Sequence, residues 1–117
     1  MSLKPGDIVI ANIPDPNGAP IDHRHPAMVL RADAHIAYLV GISTSYTKPL
    51  PSHWLELPLD GTTNLRKPCV LKCHWTTTPI DVSRCQKIGE VPTEILDRAT
   101  DWIVTLIERK KAAGGAT

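Results

Sequence analysis

Proline constrains what this chain can fold into more than any other residue. Eleven prolines lie between Pro5 and Pro92, about double ordinary usage. Each lacks a backbone N–H and fixes φ, so it breaks helix interiors and is confined in sheets to edges, strand starts and bulges. Spread along the chain, they suit several short strands joined by rigid turns better than long helices. From Pro92 the pattern changes. Ile95, Ala99, Trp102, Ile103, Leu106 and Ile107 recur at three- and four-residue spacing, with Glu94, Asp97, Arg98, Asp101, Glu108 and Arg109 between them. That spacing predicts an amphipathic helix over 92–110. Glu94 and Asp97 near its start, and Arg109 to Lys111 near its end, complement the helix dipole.

The remaining apolar runs read as strands. Ile8 to Ile13 forms one and Ala27 to Leu30 lies in the next. Between them run Pro14 to Pro20 and the cluster Asp22, His23, Arg24, His25, about a dozen residues where a hairpin usually needs two to five. A loop of that length is either functional or simply a solvated surface. Residues 26–32 and 36–43 are strand candidates, and the second is apolar enough to be central and covered on both faces. His53 to Leu57 alternates like a half-exposed strand. After the Asp60-Gly61 turn signal come Cys69 to Trp75, a short piece at Ile80 to Val82, and Gln86 to Val91. Five to seven short strands followed by a helix imply a mainly β fold, a small closed SH3-like barrel with a C-terminal helix. One domain over residues 1–111 is expected, with a small, Gly-rich tail, 112–117, expected to be disordered.

Composition bounds the core and the partners. There is no Phe, and aromatic residues make up 4%, so the core must be built from Val, Ile, Leu and Ala. The formal net charge is +1, which does not announce a nucleic-acid binder. Between Gly61 and Gly89, however, Arg66, Lys67, Lys72, Arg84 and Lys87 face Asp81 alone, a local excess of +4. Such an excess can follow a phosphate backbone or be an ordinary solvated surface. Three cysteines without a recognisable leader lead us to expect free thiols in a reducing cytoplasm. No apolar run approaches a membrane span, and no membrane association is expected.

The order of these motifs resembles a known family. Gly6-Asp7-Ile8-Val9, the Asp15-Pro16 turn, Gly18 and Arg24-His25-Pro26-Ala27-Met28-Val29-Leu30 are similar to the opening of the PemK/MazF toxins of toxin–antitoxin systems. The similarity continues through Val40-Gly41-Ile42-Ser43-Thr44, Pro68-Cys69-Val70-Leu71, Ile80-Asp81 and Ile88-Gly89, and covers nearly the whole chain. It implies a PemK/MazF/CcdB-like fold, a homodimer, a cognate antitoxin, and cleavage of single-stranded RNA at specific sequences without metal or other cofactor. The alternative that it leaves open is a binding module, either a member without cleavage or a CcdB-type inhibitor of a protein such as DNA gyrase.

The chain carries residues suited to several chemistries. Cys69, Cys73 and His74, with His23, His25 and His53, suggest a metal site. Strand residues four apart lie about 13 Å from each other at 3.3 Å per residue, whereas zinc needs ligands within roughly 2.3 Å; no metal is expected. Cys85 or Ser43 beside a His stays open as a nucleophile, although no Gly-x-Ser-x-Gly elbow is present. RNA cleavage needs a base for the 2′-hydroxyl, an acid for the departing 5′-oxygen and cationic donors for the phosphate. Arg24, His25, Ser43 and Thr44 supply these groups. In active relatives, the resemblance implies, the Arg directly before Pro and a Thr at the third strand's end form the catalytic pair. Here His25 precedes Pro26, Arg24 stands one residue earlier, and Ser43 takes the strand-end position, followed by Thr44. Asn17, His23, Lys48, Arg66, Lys67, Lys72, Arg84 and Lys87 are candidate RNA contacts.

Overall fold

A computed structural model describes residues 2–21, 23–59, 61–77 and 79–115. The chain runs β1 (Asp7–Ala11), β2 (His25–Ala32), β3 (Ile36–Ser43), β4 (Trp54–Leu57), β5 (Cys69–Thr76), β6 (Ile80–Asp81), a 3₁₀ turn (Val82–Arg84), β7 (Gln86–Glu90) and α1 (Thr93–Gly115). Every expected strand is present. The strands form one curled antiparallel sheet in the order β4-β5-β3-β2-β1-β7, with β6 added to the start of β3. This is the mainly β architecture with a C-terminal helix that the sequence predicts, with a difference in how it closes.

The two ends of the sheet, β4 and β7, are not paired with each other. A loop spans the gap instead. Glu90 donates its N–H to Thr62 O at 2.8 Å, and Asn64 Nδ2 donates to Ile88 O at 3.1 Å. Thr63 is fully buried there, its hydroxyl donating to Pro58 O. Gly89 makes this approach feasible, because a Cβ at that position would stand 2.3 Å from Thr63 O.

The central strands are covered on both faces, as the apolar run of β3 predicts. On one face Ile8, Met28, Val40, Ile42, Leu71 and Cys73 pack with Ile95, Ala99 and Ile103 of α1. On the other, Val9, Ala27, Val29, Ala37 and Leu39 pack with Trp75 and with Leu3, Ile13 and Cys85. Strict alternation along β5 would place Trp75 beside Cys73 on the helix side. It lies on the opposite face because the β3–β5 register slips, with Val40 opposite Thr76 but Ile42 opposite Leu71. A bulge of this kind re-aims the side chains beyond it. The indole then lies across Gly41, where a Cβ would be 2.0 Å from the ring, and Nε1 donates to Pro14 O at 2.8 Å.

Helix α1 begins after Pro92, whose carbonyl accepts from the N–H groups of Ile95 and Leu96. It continues to Gly115, five residues past the expected end. Four residues assigned by sequence to a disordered tail, 112–115, are therefore helical, and 116–117 lie outside the described residues. Ile107 continues the apolar spacing without being buried. It is 49% exposed, as is Val104.

The long first loop is folded on itself. Pro14 bridges Pro20, and the Asp15 carboxylate accepts from the N–H groups of Asn17 and Ala19 at 2.8 and 2.9 Å. Its remaining stretch, beyond Ile21, leads through His23 and Arg24 into β2.

Candidate active site

Arg24 and His25 are adjacent in sequence but diverge in space. Neighbouring residues of an extended chain point in opposite directions, and here that separates a guanidinium from an imidazole. Arg24 turns over β1 toward β7, donating through Nη2 to Ile10 O and through Nη1 to Gln86 Oε1, both at 3.1 Å. His25 turns toward the end of β3, where its Nε2 lies 2.6 Å from Ile42 O. A carbonyl only accepts, so Nε2 carries the proton and Nδ1 is the ring's acceptor. Burial holds His25 below the usual histidine range, opposed by the Ile42 hydrogen bond and assisted by His23 and Lys72. The ring is therefore neutral at pH 7 and presents a basic nitrogen. Trp75 packs beside it, 5.1 Å between centroids, and His23 follows at 5.8 Å.

Next to Ile42 stand the two strand-end hydroxyls. Ser43 is 8% exposed, accepts from the Ser45 N–H at 3.0 Å and faces Ser45 O at 3.4 Å. That Oγ is committed to a local turn. Thr44 is exposed and lines a crevice with Tyr46, Lys67 and Pro68. Of the four residues singled out for catalysis, the geometry joins His25 to the Ser43–Thr44 strand end and sends Arg24 elsewhere.

The candidate RNA contacts are dispersed. Lys67 stands at the Thr44 crevice and Lys72 is near enough to His25 to repel its proton. Asn17 lies in the Asp15 turn, Arg66 is exposed in the β4–β5 connection, and Arg84 ends the 3₁₀ turn. Lys48 pairs with Glu56 at 3.0 Å, and that hydrogen bond raises its pKa. Lys87 pairs with Glu90 at 3.0 Å and with the buried Asp7 at 3.2 Å, and these carboxylates hold its ammonium above the usual range. The local positive excess is thus partly neutralised.

The cysteines fit the core. Cys69, Cys73 and Cys85 are buried free thiols, and burial pushes Cys73 up to about 11 and raises the other two. A thiol so shifted is a poor nucleophile at neutral pH. Among the described residues, no three His, Cys, Asp or Glu side chains gather where one ion would reach them.

Sequence reasoning missed two features. Gln86 anchors Arg24, with no local signal to mark it. Trp54 and His74 also meet Lys72, itself a candidate contact, on neighbouring strands, and the alternation of Lys72 and His74 along β5 was the available sign. A groove of about 580 Å³ between α1 and the β2–β3 hairpin, lined by Leu30, Tyr38, Ile103, Val104 and Ile107, lies apart from the strand end.

The sheet order, the terminal helix and the His25–Ser43 strand end accompany a match to a family model. The model describes the PemK-like, MazF-like toxin of type II toxin–antitoxin systems and matches residues 4–107. The chain belongs to this family. No curated protein matches it. A type II toxin has an antitoxin as its partner. Among the described residues, no helix is long and apolar enough to cross a membrane.

Proposed function

We propose that this PemK/MazF-like toxin is a metal-independent endoribonuclease acting on single-stranded RNA in the cytoplasm as a homodimer. The observation that carries the reading is the His25 ring, fixed by Nε2–H to Ile42 O at the end of β3, with Nδ1 left as its acceptor. Nδ1 takes the 2′-hydroxyl proton, and the freed oxygen attacks the adjacent phosphorus. The 5′-oxygen departs with a proton, leaving a 2′,3′-cyclic phosphate. His23, 5.8 Å from His25 between ring centroids, is the nearest imidazole for that protonation. Lys67 and Lys72 supply charge for the phosphate, and the Thr44 hydroxyl orients it.

The test is incubation of the purified protein with mixed single-stranded RNA in EDTA. Cleavage is expected, with His25→Ala slowing it by about 10²–10⁴-fold, the range of a general acid or base, and removing the fall in rate expected below about pH 6.5. Intact RNA with folded protein would defeat the reading. One observation favours the alternative of a non-catalytic binding module or CcdB-type inhibitor. The arginine of the motif is bound to Ile10 O and Gln86 rather than aimed at the strand end.

A further inference from the structure

We propose that Trp54, His74 and Lys72 form a base-stacking subsite for single-stranded RNA on the β4–β5 edge; this deepens, and rests on, the RNA-cleavage reading. Trp54 and Lys72 are direct cross-strand partners. The Lys72 ammonium stands 4.2 Å from the centroid of the indole ring. Trp54 Nε1 donates to His74 Nδ1 at 3.1 Å, and the two rings are near parallel, 21° apart with centroids at 5.9 Å. His53 lies edge-on to His74 at 5.3 Å and to Trp102 at 6.3 Å, bracing the pair from the helix side.

This arrangement has the elements of a nucleobase platform. Two coplanar π systems are locked before any ligand arrives, so little side-chain entropy remains to be lost on binding. His74 is the exposed member, and a base laid on it would lie parallel to the plane that the two rings nearly share. The Lys72 cation over the indole fits the phosphate that accompanies each base. Stacking plus a basic track is how proteins hold single strands without reading their sequence. Lys72 links the platform to the proposed site, since its charge acts on both His25 and His74. A strand crossing His25 can therefore place a neighbouring nucleotide on His74.

The test uses a fluorescein-labelled, mixed-sequence 2′-O-methyl RNA dodecamer, which lacks the attacking hydroxyl and stays intact. Anisotropy is expected to show binding by the wild type and about tenfold weaker binding by Trp54→Leu, the scale of one lost base stack. Trp54→Phe should retain most of the affinity, and Lys72→Gln should reduce the salt slope by roughly 0.7. On cleavable RNA, Trp54→Leu should raise KM with kcat nearly unchanged, in contrast to the kcat loss of His25→Ala. Wild-type binding matched by Trp54→Leu, with normal circular dichroism and cleavage retained, would overturn the subsite and leave the nuclease reading intact. Weaker binding by Trp54→Leu together with dissociation into monomers would overturn it as well, making this edge a contact between chains. No binding and no cleavage by the wild type would overturn the parent reading.

Discussion

At the residue scale, His25 and His74 carry the chemistry that pH should reveal. Both are held below the ordinary histidine value, first by burial and then by neighbouring positive groups, and each also has a defined hydrogen bond. The unfolded chain therefore binds protons on these rings more readily than the folded one. The stability they contribute is fully present above about pH 6.5, the unperturbed histidine value, and is lost as pH falls through their folded values. Melting temperature should decline from that point downward, before the depressed carboxylates Asp33, Asp81 and Glu90 begin to protonate. A His25→Asn, His74→Asn double variant should flatten that part of the profile. An unaltered profile would show that neither ring stays neutral in the fold. The sequence marked His25 as chemically useful, but not that it and Arg24 would part company. Their separation depends on two pairings of β1, that with β2, which sets Ala11 opposite His25, and that with β7, which brings Gln86 level with Ile10.

At the scale of elements, proline spacing and apolar periodicity were enough to locate all the strands and the helix. They were not enough to orient every side chain. The face of Trp75 is decided by a register slip against β3, a non-local event that no window of β5 contains. Ile107 continues the helical spacing arithmetically, yet lies half-exposed along the groove that separates α1 from the β2–β3 hairpin. The two helix isoleucines provide a clean comparison. Ile103, 4% exposed, packs with Ile8, Val40 and Leu71, so Ile103→Ala should cost about 2–5 kcal/mol. Ile107→Ala, at an exposed position, should stay within about 0.5 kcal/mol. Urea midpoints would rank the two, and equal losses would mean that the helix is rotated from the orientation described.

At the scale of the whole molecule, the sheet is closed by a loop and its core is assembled without phenylalanine. A domain of this length buries a smaller share of its surface than a large one, and a second chain would add to what it buries. The surface retains material for such a contact. Tyr38, Val104 and Ile107 are 37%, 49% and 49% exposed, and all three line the same groove between α1 and the β2–β3 hairpin. Clustered apolar exposure of this kind is less usual on a monomer than the same residues scattered singly. In a twofold dimer the groove would meet its own copy, so one pair of substitutions alters both halves of the contact. Light scattering at tens of micromolar should therefore give the dimer mass for the wild type. A Val104→Lys, Ile107→Glu variant should give the monomer mass with an unchanged circular dichroism spectrum, since neither side chain belongs to the buried core. A monomeric wild type would remove the homodimer from the proposed function. A variant that stayed dimeric would move the contact to another face of the barrel.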